Sequence, residues 1–402
     1  MSSTSWALRA GNRRSRFCPR TGSALVRSIL GFASAGLCAA CHLLDLTHRD
    51  ASGERLLWHV TDVAVDGQPA FDGATVFFTS RRHRVVAVNA ETGAVVWTAE
   101  TGGAAGTETL SDAGCVIAGD LVACGDDDIV AFKRTDGTRV WRYHATLGFG
   151  PGFFPFRYRD GVIFASSQGS GTLYAINAAT GVELWATHAI ADTAGANVFG
   201  VSVDDGIVAA AFITGDKPIE GGVTALDPKT GAVRWTTYFP IGTFDAPGGG
   251  FDCALWSDVV LGSSLDGSVY AFDRQTGATR FVVPPIHVTN PQRGDFRPIA
   301  VVGSTLFSIG HYEQFTAYDL NRRVELWRVT APGGSSSGAP MAADDNAAFE
   351  VQAGGHLVAY SVSGRRVLWD FGNIRTPFVG TAAIGPDRVF IGGTTGFWAL
   401  SR

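Results

Sequence analysis

The densest chemistry-bearing stretch of the sequence is Cys38-Ala39-Ala40-Cys41-His42, and it admits three readings. C-x-x-C-H is the attachment pattern of c-type haem, in which two thiols add to the vinyl groups and the imidazole ligates iron. The small residues before Cys41 also match a lipobox, whose cysteine is lipidated after cleavage, although Leu37 stands one place early and Cys38 fills its usual position. Third, Ala33-Ser34-Ala35 is an A-x-A site for ordinary signal peptidase, which would leave both thiols on a short free tail. The surroundings suit haem poorly. About a dozen residues separate His42 from the first expected strand at Leu56-Leu57-Trp58, and Met1 and Met341 are the only methionines, so the common Met axial ligand is nearly absent. Lipidation of Cys41 is the reading carried forward, with haem c on Cys38, Cys41 and His42 as its alternative.

Elsewhere the constellations are sparse. Asp126-Asp127-Asp128 has the oxygen chemistry of a calcium loop but sits in a tight turn between strands, where solvation is expected. Asp252, Asp295 and Glu313 are isolated acids, read as solvated, so no metal ligand is assigned. The nine histidines form no H-E-x-x-H or H-x-H pair, no G-x-S-x-G elbow occurs, and Gly248-Gly249-Gly250 opens no helix. No catalytic residue is assigned. Gly119-Asp120 fits a two-residue hairpin loop, which sets Cys115 opposite Cys124 at a close-approach position, so a cross-strand disulfide is expected. Cys253 has no obvious partner and is expected to be buried at the start of a first strand.

The elements that must position these residues follow from composition and periodicity. Of 402 residues, 51 are Gly, 46% are apolar and 17% are charged, which excludes a disordered chain and points to many tight turns. Residues 1–40 carry Arg9, Arg13, Arg14, Arg16, Arg20 and Arg27 and no acid, leaving 26 basic against 37 acidic residues in the remainder. A net charge of -11 there disfavours a nucleic-acid partner. The apolar run Ser28–Ala40 is too short for an ordinary membrane span but suits a signal-peptide core. Residues 1–40 are therefore expected to be a signal peptide of an exported protein and 41–53 a tether; Arg13-Arg14 fits a twin-arginine signal only loosely.

From residue 54 to 402 one unit recurs: an Ala, an Asn/Asp-x-x-Thr-Gly turn, and a Trp ten places after the Ala. The pairs are Ala87/Trp97, Ala131/Trp141, Ala175/Trp185, Ala225/Trp235, Ala271/Phe281, Ala317/Trp327 and Ala359/Trp369. Flanking β-branched runs make each unit a four-stranded antiparallel meander. Ala399 lacks a following Trp, and Trp58 lacks a preceding Ala, so both counts reach eight when the first strand pairs with the last. The expected fold is all-β: an eight-bladed propeller closed by its two terminal strands, which removes the open edges of a linear array. All eight recurring aromatics, from Trp58 to Trp327 and Trp369, are read as packing anchors, with the small Ala admitting the neighbouring indole.

The pattern resembles the tryptophan-docking repeat of the pyrroloquinoline quinone (PQQ) propellers, over the 345 residues from Trp58 to Arg402. That resemblance implies one of three functions. One is a quinoprotein alcohol dehydrogenase holding PQQ and Ca²⁺ in its funnel; another is a BamB-like lipoprotein that docks on the outer-membrane insertase; the third is a sensor or glycan-binding module. The dehydrogenases carry adjacent cysteines and long insertions, whereas this sequence has no Cys-Cys and nearly even Ala-to-Ala intervals. The BamB-like class is the expectation: a non-catalytic scaffold without cofactor, binding envelope proteins or an outer-membrane assembly complex as a monomeric ring, lipid-anchored at the periplasmic face or cell surface. The extra chain length falls in connections of one face, so partner contacts are expected at Phe149, Phe153, Phe154 and Arg157, and at Asn290, Gln292, Arg293 and Asp295. The competing expectation for the aromatics is that they fill the gap between blades 2 and 3.

Overall fold

Each repeat turns on one short polar side chain. Asn89 Oδ1 accepts the backbone N–H groups of Glu91 (3.0 Å) and Thr92 (2.9 Å), and Gly93 N–H returns to Asn89 O at 2.8 Å. Asn177, Asp227 and Asp273 build the same turn. The turn closes only with its last residue at positive φ, +72° at Gly93 and Gly181, which costs glycine nothing. These turns are part of a computed structural model that describes residues 55–402 except 103–112, 146–154, 168, 191–195, 215–219, 241–249, 286–297, 311–313, 333–336, 353 and 373–377. The expected signal peptide and tether lie outside the described residues.

The turn joins two strands whose register sets the small residue opposite the aromatic one: Ala87 faces Trp97, and the same pairing recurs in every blade, ending with Ala399 opposite Trp58. All described elements are strands, in eight antiparallel sheets of four. Blade 1 runs Val65–Phe71, Thr75–Ser80, Arg84–Asn89 and Val95–Glu100. Blades 2 to 7 repeat it. Blade 8 takes Phe378–Ile384, Arg388–Gly393 and Gly396–Ser401 from the C-terminus and Leu56–Thr61 from the N-terminus as its fourth strand. The first strand of each blade lies against those of both neighbours, blade 8 meeting blade 1, so the propeller closes.

The core lies between blades. Second and third strands are buried on both faces and read as continuous apolar runs, as with Phe77, Phe78, Val85 and Val88. Apolar clusters are shared by adjacent sheets: Ile129, Ala131 and Trp141 of blade 2 pack with Ile163, Ala165 and Tyr174 of blade 3.

The indoles make the junctions, and the residue that admits them is not the Ala. Trp58, Trp97, Trp141, Trp185 and Trp235 each lie on the turn glycine of the next blade, so a Cβ on Gly93 would stand 2.8 Å from the Trp58 ring, and one on Gly181 2.7 Å from Trp141. The indole N–H donates to a carbonyl of that turn: Trp58 to Ala90 and Trp141 to Ala178 at 3.0 Å, Trp97 to Arg134 at 2.8 Å. At the next junction, where Arg322-Arg323 replaces Thr-Gly, Arg323 lies 4.7 Å over Phe281. At the junction of blades 7 and 8 Arg55 lies 5.3 Å over Trp369, and its Nη1 donates to Arg402 O at 3.0 Å.

Trp327 packs against the apolar cluster shared by blades 6 and 7 without resting on a turn glycine of the next blade. It is half-buried, as is Phe281, whereas the other six are buried. The reason lies in the next turn, where Gly364-Arg365 stands in place of Thr-Gly. A Cβ on Gly364 would meet only Ser361 Oγ, at 3.6 Å, so no indole rests on that glycine. Trp327 instead packs on Phe315 and Phe307 of its own blade, with ring centroids 5.8 and 6.1 Å away. The junction is fastened beside it, by Arg365 Nε donating to Arg328 O at 3.0 Å.

Two further fixings are local. In the first hairpin of blade 2, Cys115 pairs directly with Cys124 and the two form a disulfide, Cα atoms 4.1 Å apart. Asp252, read from sequence as a solvated acid, is instead buried in the first strand of blade 5. Its oxygens accept Cys253 N–H at 2.9 Å and Ile299 N–H at 3.1 Å, tying blade 5 to blade 6. Burial pushes the Asp252 carboxyl up from 3.8 to about 6, against the hydrogen bond from Ile299 and the charge of Arg157. Burial likewise pushes the Cys253 thiol up to about 12, so it is an inert core group.

Two outcomes follow. Gly277→Ala meets both a positive φ (+73°) and the Trp235 ring at 2.7 Å, whereas Gly161→Ala meets a positive φ (+82°) with open space around it. Urea unfolding should show a loss of about 1–2 kcal/mol for Gly161→Ala and about 2–4 kcal/mol for Gly277→Ala, which adds overpacking; equal losses would contradict the docking account. The second concerns pH. Folded Asp252 keeps its proton up to about pH 6 while the unfolded chain has released it near 3.8, so this group's contribution falls as pH rises through that window. A shift of about two units costs about 3 kcal/mol by pH 7. Asp252→Asn should therefore gain on the parent chain between pH 4 and pH 7; unfolding curves that stay parallel across that range would show that the raised value is wrong.

Candidate partner-binding face and central cavity

Because first strands line the axis, the space at the centre is built from their side chains. A cavity of about 430 Å³ is lined by residues 68–71 of blade 1, 115–117 of blade 2, Arg157 of blade 3, 340–343 of blade 7 and 381–384 of blade 8. Most of these are Ala, Ile, Val, Phe, Pro and Met. The polar groups include Gln68, Arg157 and Thr381, and Thr381 Oγ1 is buried with no hydrogen-bond partner among the described residues. Arg157 Nη1 donates to Phe156 O at 3.0 Å. One cation could meet a carboxylate of a bound molecule. A quinone with calcium needs a cage of ligand oxygens around the ion, and no Asp or Glu lines the cavity. The described residues do not fit that pair.

Antiparallel four-stranded blades send the Thr-Gly turns to one face and the turns between second and third strands, with the blade-to-blade connections, to the other. Of the expected partner contacts on that second face, Phe149, Phe153, Phe154, Asn290, Gln292, Arg293 and Asp295 lie outside the described residues, as do Cys38, Cys41 and His42. Arg157 is described, and it lines the cavity. The neighbouring Phe156 is buried in the cluster shared by blades 2 and 3, where it fills the gap between them.

The second face also holds a feature that the sequence reading missed. Asp126 and Asp128, expected to be solvated, are 4% and 2% exposed. Asp126 Oδ2 accepts from His83 Nδ1 at 2.8 Å and from Thr101 Oγ1, both in blade 1 or the connection leaving it. Asp128 takes Arg142 Nε and, at 2.6 Å, His144 Nδ1. The turn is buried because partners from two blades close over it. One signal was available. His83 and Asp127 each stand four residues before the repeat alanine, at Ala87 and Ala131, so the repeat sets them in the same turn of adjacent blades.

Comparison with known proteins matches this architecture. The designed Ika8 protein shares 13% identity, covering 85% of this chain and 97% of that one, with a TM-score of 0.67. BamB from Moraxella catarrhalis shares 14%, covering 86% and 97%, with a TM-score of 0.59. A quinohemoprotein alcohol dehydrogenase from Comamonas testosteroni shares 14%, covering 86% and 76%, with a TM-score of 0.60. Similarity at this level speaks for the fold alone. No curated protein matches the chain by sequence. A family model, however, matches residues 45–148, 125–280 and 265–398, and nearly the whole repeat region is thereby covered. The chain belongs to the family described as outer membrane protein assembly factor BamB.

Proposed function

We propose that the chain is an exported, non-catalytic propeller that binds protein partners during assembly of the cell envelope's outer-membrane proteins. The observation that carries this reading is the family match, which runs along the chain from residue 45 to 398. The cavity speaks against one alternative: among the described residues its lining offers Arg157 but no carboxylate to hold the calcium of a quinone cofactor. Among the described residues no helix is long and apolar enough to cross a membrane. Attachment is proposed through a lipid on Cys41, and recognition through the inserted connections of the second face, with Phe153 and Phe154 as anchors and the 290–295 segment as a second contact. Aromatic side chains combine large apolar area with few rotatable bonds, which suits them to carry binding energy.

The test has two arms. Phe153→Ala with Phe154→Ala should reduce capture of outer-membrane assembly proteins from envelope extract by about tenfold or more, since a hot-spot loss of ~2 kcal/mol is that large, and should leave the melting temperature unchanged. Incubating the purified chain with PQQ and Ca²⁺ should give no retained quinone and no alcohol-dependent dye reduction. Quinone retention with turnover would overturn the proposal in favour of a dehydrogenase.

A further inference from the structure

The turn cluster of blades 1 and 2 is not among the proposed partner contacts, and its chemistry is that of a ligand set. His83 is 5% exposed and held at φ +57°, a left-handed conformation that a non-glycine residue adopts at some cost. That backbone aims its imidazole across the blade junction at Asp126. Thr101 fixes the arrangement from behind, its Oγ1 donating to Asp126 and lying 2.9 Å from His83 O. Asp127 comes from the same turn of blade 2. One ligand atom from each of His83, Asp126 and Asp127 lies within 4.8 Å of the other two. Asp128 is already engaged by Arg142 and His144 and stands outside the set.

We propose that His83, Asp126 and Asp127 form a divalent-cation site bridging blades 1 and 2. The donors are one imidazole nitrogen and two carboxylates. Calcium seeks six to eight oxygens, whereas first-row ions such as Mn²⁺ and Zn²⁺ accept mixed nitrogen and oxygen ligands, with water completing the shell. The ion's structural effect would be to join two turns that a single hydrogen-bonded network now joins.

The probe is Mn²⁺, because thiols at Cys38 and Cys41 are poor ligands for it. Titration of the metal-stripped full chain, followed by the paramagnetic resonance signal of free Mn²⁺, should show saturable uptake of one ion and a raised melting temperature. Asp127→Asn removes a ligand and leaves the His83–Asp126 hydrogen bond in place, so its metal-free melting temperature should match the parent chain. Its Mn²⁺ affinity should fall at least about tenfold, the scale lost when even outer partners of a metal ligand are removed. No uptake by the parent chain, or equal affinity in Asp127→Asn and His83→Gln, would overturn the site. Ca²⁺ displacing Mn²⁺ at equal concentration would overturn the choice of ion class.

Discussion

An indole lying flat on the next blade's turn glycine is the contact on which most of the ring depends. A four-stranded sheet has two apolar faces and cannot bury both by itself; stacking against a neighbour does so, provided something fixes the angle and height of each sheet. The indole fixes both. Its face needs the space that a Cβ would fill, as at Gly231, where a side chain would stand 2.6 Å from Trp185. Its N–H needs a carbonyl in the same turn, supplied for Trp185 by Pro228 and for Trp235 by Arg274 at 3.0 Å. The three junctions whose turn lacks the docking glycine show the rule by exception. A guanidinium spreads over Phe281 and over Trp369, and at Trp327 an arginine of the next turn bonds to the backbone beside the indole instead. Closure through Leu56–Thr61 then makes every junction depend on all the others.

Much of this was readable before any coordinates. The spacing of ten follows from a tight turn between paired strands with one bulge beside the Ala, so it survives where the turn sequence itself changes, as at Arg322-Arg323. The count of Ala against Trp gave ring closure, because a strand missing at one terminus has to be found at the other. What periodicity did not give was the docking partner: the small residue opposite each Trp in its own blade is the Ala, but the small residue beneath the indole is a glycine of the next blade, some 40 positions away. Trp327 keeps the spacing within its own blade, while the corresponding turn glycine of the next blade, Gly364, carries no indole. The acids were misread for a related reason. A run such as Asp126-Asp127-Asp128 looks solvated when only its neighbours in sequence are considered, yet its partners His83 and Thr101 arrive from the adjacent repeat. Asp252 is buried by the same logic, its hydrogen bond to Ile299 spanning two blades.

The functional reading draws on what such a ring can and cannot do. Rigid blades hold turns and connections at fixed positions on two faces, which is the geometry of a docking platform. The central cavity is lined by a single arginine and by no described carboxylate, an environment that can hold a small anion but has little with which to organise a charged metal cofactor. The polar residues that do gather, around His83 and Asp126, lie at a blade junction rather than on the axis. The proposed cation site is therefore off the axis, on the same second face as the proposed partner contacts.

The most direct test of the scaffold account is site-specific photo-crosslinking in cells. A benzophenone side chain would be placed at Phe153 on the second face and, separately, at the exposed Lys229 in a Thr-Gly turn of the first. The account predicts crosslinks to outer-membrane assembly proteins from position 153 and none from position 229. Crosslinks from position 229 alone, or none to any envelope protein from either position, would contradict it.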